Sequence, residues 1–156
     1  GAGRKFRATA SSVPAGPLRD QLDDIDVQLQ HGLAEAWRIA KAGDGVDDMI
    51  RRLDPLMLRS KLAVAEQRAT EAPSPEHDAA VASIRSQLES AERLQRKSDE
   101  TAASLRLTQT QLDELVARAA EVGVGAADHD AYARDVEDLV LKLEALRQAV
   151  EETRTA

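Results

Sequence analysis

The sequence contains no cysteine. That excludes disulfides and thiolate metal sites, and it leaves the redox compartment open. Aromatics are nearly absent: Phe6, Trp37 and Tyr132 are the only three in 156 residues. A thick globular core draws on several such side chains for buried area. Here Leu, Val, Ile and Ala must build the core, and they suit narrow seams between helices. No apolar run approaches the roughly 20 residues that span a bilayer. No stretch alternates apolar and polar residues as a half-buried strand would. Basic charge is outnumbered, 21 Lys and Arg against 28 Asp and Glu, for a net charge of -7. An acidic chain repels phosphate backbones, so no nucleic-acid partner is expected.

What is present is helical punctuation. Residues 1–16 combine small residues with a basic cluster and read as a flexible arm. Residues 17–156 read as a single all-α domain, with helices expected at about 17–42, 45–71, 75–122 and 128–154. Pro17 fits a first helical position. The spacing of Leu18, Leu22, Ile25, Leu29, Leu33, Ala36, Trp37 and Ala40 puts one apolar stripe on the first helix, with Trp37 in it. Gly43-Asp44-Gly45 is expected to stop that helix. Pro55 should kink the second helix, or break it with Asp54 capping the new segment. Ser74 caps the third helix and Pro75 opens it.

From Glu76 to Val122 there is neither glycine nor proline. A helix of that length extends about 70 Å. A heptad fits it throughout. One core position gives Val81, Leu88, Gln95, Ala102, Gln109 and Val116; the other gives Ile84, Ala91, Ser98, Leu105, Leu112 and Ala119. The ends are apolar and the middle is polar at Gln95 and Ser98, which either fixes register or partner number within a seam or marks an exposed stretch where packing partners change over. The fourth helix has the cleanest seam: Tyr132, Val136, Leu139, Leu143, Leu146 and Val150. Strict heptad spacing favours supercoiling against a neighbour.

The expected architecture is an elongated antiparallel coiled-coil bundle with one long central helix and three shorter ones. The first two helices would form a hairpin on the first half of the long helix. The fourth would fold back alone on its second half. Two helices bury little, and Val140 and Leu141 add apolar surface beside the seam. A second copy would then complete a four-helix bundle, so a homodimer is expected. The residues expected to carry self-association or partner binding are Leu105, Leu112, Val116, Tyr132, Val136, Leu139, Val140, Leu143, Leu146 and Val150.

No catalytic constellation is found. Asp128-His129-Asp130 and Glu76-His77-Asp78 have metal-ligand residue types, but both lie at helix starts, where acids cap. His31 stands apart. A helical di-iron site needs Glu-x-x-His pairs, and no such pair occurs. Gly123-Val124-Gly125 lacks the preceding strand of a phosphate loop and reads as a helix stop. Neither an enzyme, a cofactor nor a metal is therefore expected. Arg4, Lys5, Phe6 and Arg7 form a basic arm suited to anionic headgroups, which points to membrane proximity.

Pro17-Leu18-Arg19-Asp20-Gln21-Leu22-Asp23-Asp24-Ile25, Glu35-Ala36-Trp37-Arg38-Ile39-Ala40 and Leu146-Arg147-Gln148-Ala149-Val150-Glu151-Glu152-Thr153 resemble uncharacterised actinobacterial helical proteins. The resemblance covers most of the chain. It implies a helical region that follows membrane segments in a larger envelope-associated protein, on the cytoplasmic side at the inner face of the membrane. In general style the sequence is also similar to phage-shock-type membrane-remodelling coiled coils, which gives an alternative function at a membrane surface.

Overall fold

The computed structural model describes residues 16–123, 125 and 128–155. Every element among them is a helix: α1 Pro17–Leu53, α2 Pro55–Glu71, α3 Pro75–Gly123 and α4 His129–Thr155. The chain is thus an all-α helical bundle. α3 is one continuous helix of 49 residues, with no break near Ser98.

The expected stop at Gly43-Asp44-Gly45 does not occur. α1 runs through both glycines to Leu53. The reason is burial on either side of them: Ile39, Ala42, Val46 and Ile50 continue the inward stripe, and all are buried. Two helical glycines cost about 2 kcal/mol together relative to alanine. Burying Val46 and Ile50 alone contributes about 1.5–3 kcal/mol each, so packing outweighs local propensity.

The real interruption is at Pro55. Proline cannot donate to the preceding turn and disfavours the right-handed helical conformation at Asp54. Asp54 turns left-handed, at φ 51° and ψ 74°. Its carboxylate then accepts from the Met57 backbone N–H at 3.3 Å, capping α2. Its own N–H still donates to Ile50 O at 3.1 Å, and its carbonyl accepts from Leu58 N at 3.0 Å. The chain therefore bends without reversing. This is the break with an Asp54 cap that the sequence allowed.

Cross-helix pairs fix the directions. Asp47 meets Ser98, and Glu66 meets Arg85. α1 and α2 thus form one long bent rod running opposite to α3 along its whole length. This replaces the hairpin expected between the first two helices. Arg118 pairs with Asp135, so α4 also runs opposite to α3. His31 and Glu35 meet Glu144 and Arg147, so α4 lies parallel to α1.

The expected layers are consequently exchanged. The three-helix bundle stands on the second half of α3, where α1, α3 and α4 share a core of Leu22, Ile25, Leu29, Ile39, Leu112, Leu115, Ala119, Val122, Tyr132, Val136, Leu139 and Leu143. The two-helix hairpin stands on the first half, where Leu58 and Ala65 of α2 and Leu88 and Ala91 of α3 are buried. In the middle of α3 the seam shifts. Gln95, Ala102 and Gln109 are exposed, while half-buried Ser98 donates to Asp47 at 2.6 Å. Trp37, expected in the core, is 72% exposed. It falls one residue outside the stripe that Ala36 and Ile39 define.

Gly43 has helical backbone and no neighbour within 4 Å of an added Cβ. Replacing it with alanine should stabilise the fold by about 0.5–1 kcal/mol. Chemical denaturation checks this, since a glycine ending the helix in a left-handed conformation would give the opposite sign.

Candidate interaction surface

The residue types that suggested chemistry have local structural roles. Asp128 accepts from the N–H groups of Asp130 and Ala131 at 2.9 and 3.3 Å, capping α4. Ser74 accepts from His77 N at 3.1 Å, capping α3, and the His77 ring donates from Nδ1 to Ala72 O at 2.6 Å. Each cap satisfies helix-end donors that have no intrahelical partner. Gly125, at φ 76°, donates to Val122 O at 3.1 Å in the turn after α3. No group of three or more His, Asp or Glu with metal-binding geometry occurs among the described residues.

Polar groups do meet between α1 and α4. Glu35 is 2% exposed. Its carboxylate accepts from Arg38 Nη1 at 2.7 Å and from Arg147 Nε. Arg147 also donates to Glu151 at 2.9 Å, and His31 donates from Nε2 to Glu144 at 2.7 Å. The Glu35 hydrogen bond pushes the Arg147 guanidinium further above its ordinary pKa, against the opposing effect of desolvation. Glu35 and Ile39 are central to this contact, and the apolar spacing alone did not mark them. Glu35 falls on the inward face at helical spacing from Gly32 and Ile39, which was the available signal.

The ten residues expected to form an interaction face lie inside the molecule. Leu112, Val116, Tyr132, Val136, Leu139, Leu143 and Val150 are buried, and Leu105, Val140 and Leu146 pack half-buried against the same core. α1 supplies the neighbour that a second copy was expected to supply. Gly32 of α1 makes this approach close, with Leu143 and Val140 at 3.5 Å from where its Cβ would stand. Tyr132 is fully buried, and its hydroxyl donates to Leu115 O at 2.6 Å. Burial pushes its pKa up to about 12, partly offset by Arg118, whose guanidinium lies 5.4 Å from the ring centroid. Arg4, Lys5, Phe6 and Arg7 lie outside the described residues.

Large apolar side chains are exposed on both halves: Val27, Trp37, Leu107 and Leu141 on the three-helix half, and three residues of α2 on the two-helix half. Leu56, Met57 and Val64 of α2 are exposed by 73%, 52% and 49%. Met57 and Val64 are seven residues apart and share one face of the helix. Beside Val64 a groove of about 370 Å³ opens between α2 and α3, lined by Lys61, Val64, Ala65, Arg68, His77, Ala80 and Ile84. Apolar walls with a cationic rim are suited to an amphipathic helix. On the opposite face, Arg85 and Glu66 close the hairpin at 3.0 Å. The composition could not reveal this surface, because Met57 and Val64 become visible only once α4 is known to cover the other half of α3.

Comparison with family models, curated proteins and solved structures finds no match, so geometry alone carries the functional reading.

Two measurements check the packing. Tyr132 is the only tyrosine, so its ultraviolet titration should show a midpoint near 12 in the native protein, against about 10 in denaturant. The raised folded-state value means that its contribution, on the order of 2 kcal/mol, is complete below pH ~10 and is lost as pH rises through ~12. An ordinary midpoint in the native protein would place the ring in water. Glu35→Gln should cost about 1–3 kcal/mol, and pairing it with Arg147→Gln should cost less than the sum of the two changes in a denaturation cycle. Strict additivity would mean that the two groups do not interact.

Proposed function

We propose that this chain is a non-enzymatic coiled-coil interaction module of a larger bacterial envelope-associated protein. Its three-helix half is the stable base, and its two-helix half is an arm that engages a protein partner. The observation carrying this reading is that Leu56, Met57 and Val64 are exposed on α2, beside the α2–α3 groove, which no third helix covers among the described residues. Soluble monomers keep contiguous apolar surface small unless it meets a partner. The apolar seams at three- and four-residue spacing, with helices running opposite to α3, support the coiled-coil reading.

The α4 seam from which a homodimer was expected is filled by α1. No described helix is long and apolar enough to cross a membrane. The membrane-surface alternative rests on Arg4, Lys5, Phe6 and Arg7, and the described helices add no support for it.

The test contrasts the two halves. A photoreactive residue at position 57 or 64 should give discrete protein adducts in cells, while one at exposed Glu137 should give none. Changing Leu56, Met57 and Val64 together to serine should abolish the adducts and leave thermal unfolding nearly unchanged, since exposed positions contribute within about 0.5 kcal/mol each. Adducts from the bundle half alone would overturn the reading.

A further inference from the structure

We propose that α2 is a strap: it lifts off α3 as a unit, pivoting at Asp54 and at the turn 72–74, while the bundle of α1, α3 and α4 stays folded. The opening needs no partner. Its use, which is to free the inner faces of α2 and α3 for a partner, rests on the interaction-module reading.

The hold of α2 on α3 is weak by its own sequence. Spacings of four, three and four put Leu58, Leu62, Ala65 and Ala69 on one side of the helix. Leu58 and Ala65 are buried, and Leu62 and Ala69 are half-buried. The second half of that stripe is alanine alone. The α4 stripe, Tyr132, Val136, Leu139, Leu143, Leu146 and Val150, contains no alanine. Apolar stabilisation scales with the area removed from water, so α2 is held far less firmly than α4. The contiguous core that joins α1, α3 and α4 includes no residue of α2.

Polar contacts repeat the contrast. α4 is tied to α1 through the buried Glu35 carboxylate and Arg147. The Glu66–Arg85 pair between α2 and α3 spans 3.0 Å, but its side chains are 47% and 55% exposed. Pairs so exposed to water contribute little.

Both ends of α2 can turn without unwinding a helix. The N–H of Asp54 donates to Ile50 O and so belongs to α1, while its carbonyl accepts from Leu58 N and so belongs to α2. Rotation about the two backbone bonds between those groups breaks neither hydrogen bond. It gives up only the Asp54 carboxylate's contact with Met57 N. Asp54 is also the only non-glycine residue at positive φ among the described residues. At the other end, Pro73 and Pro75 bar a continuous helix. There the His77 ring donates to Ala72 O at 2.6 Å, which keeps the turn attached to α3.

Hydrogen exchange of the intact native chain, followed by mass spectrometry, tests the strap. Amides of α2 should exchange at least about a hundredfold faster than those of residues 39–46 in α1, with little dependence on added denaturant. Leu58→Ala should speed α2 exchange about tenfold or more and leave residues 39–46 and the Tyr132 titration unchanged. Asp54→Ala removes the cap without touching the α2–α3 seam, and it should act in the same selective way. Equal exchange in α2 and residues 39–46 overturns the proposal. So does a Leu58→Ala change that speeds both segments alike, since α2 would then unfold only with the bundle. Selective exchange without arm adducts in cells upholds the strap and fails the partner reading. Adducts with uniform exchange uphold the partner reading and fail the strap.

Discussion

A pair of helices can bury one seam between them, and the furrows on either side of that seam stay open. Closing a furrow takes a third helix. Among the described residues the pair is longer than the third helix: α3 has 49 residues and α4 has 27. Most other features follow from that mismatch. Where α4 lies, Tyr132, Val136, Leu139 and Leu143 complete a core with α1 and α3. Where α4 ends, the same two walls continue with Lys61, Val64, Ala80 and Ile84 facing outward. One fold therefore contains a closed half and an open half.

The bend at Asp54 belongs to the same division. α1 must follow α3 closely enough to bury Val46 and Ile50, and its continuation must remain beside α3 with fewer apolar residues to hold it. A proline that only broke the helix would release α2. Here Asp54 adopts a left-handed conformation and caps the new helix, while its backbone stays bonded to Ile50 and Leu58. The direction is kept and the register is reset. α3 resets its seam at the corresponding height, around Gln95 and Ser98, where its neighbours change from α2 to α1 and α4. The polar residues in the middle of α3 mark that changeover.

Much of the helical framework was legible in the sequence because its signals are local. Pro17, Pro75, Ser74, Asp54 and Asp128 act within one turn of themselves, and the structure places each at the helix end it was expected to mark. What was not legible depends on which neighbour fills a stripe. The α4 heptad states that a face is buried and does not state by what, so α1 and a second copy looked alike. Gly43-Asp44-Gly45 has the composition of a turn. Its outcome was decided by Ala42, Val46 and Ile50, whose burial exists only in the folded chain. Trp37 was assigned by size and rough spacing, and a single residue's offset from the stripe turns it outward. The open groove had no signal of its own, being defined by where α4 stops.

The register of α4 against α1 is specified only weakly by apolar packing. Neighbouring aliphatic side chains of similar volume pack acceptably after a one-turn slide. Glu35 removes that latitude. Removing one partner of a buried ion pair costs several kcal/mol, and a slide of one turn would carry Arg147 about 5.4 Å away, leaving the Glu35 carboxylate hydrogen-bonded only to Arg38 of its own helix. The contact thus penalises misregister more than it stabilises the correct arrangement over an apolar substitute. Gly32 lies in the same place, with Leu143 and Val140 at ordinary contact distance from where its Cβ would stand. With α4 held in this register by Glu35, its residues Ala149, Glu152 and Thr153 line one pocket with Ser90, Arg93, Leu94 and Lys97 of α3.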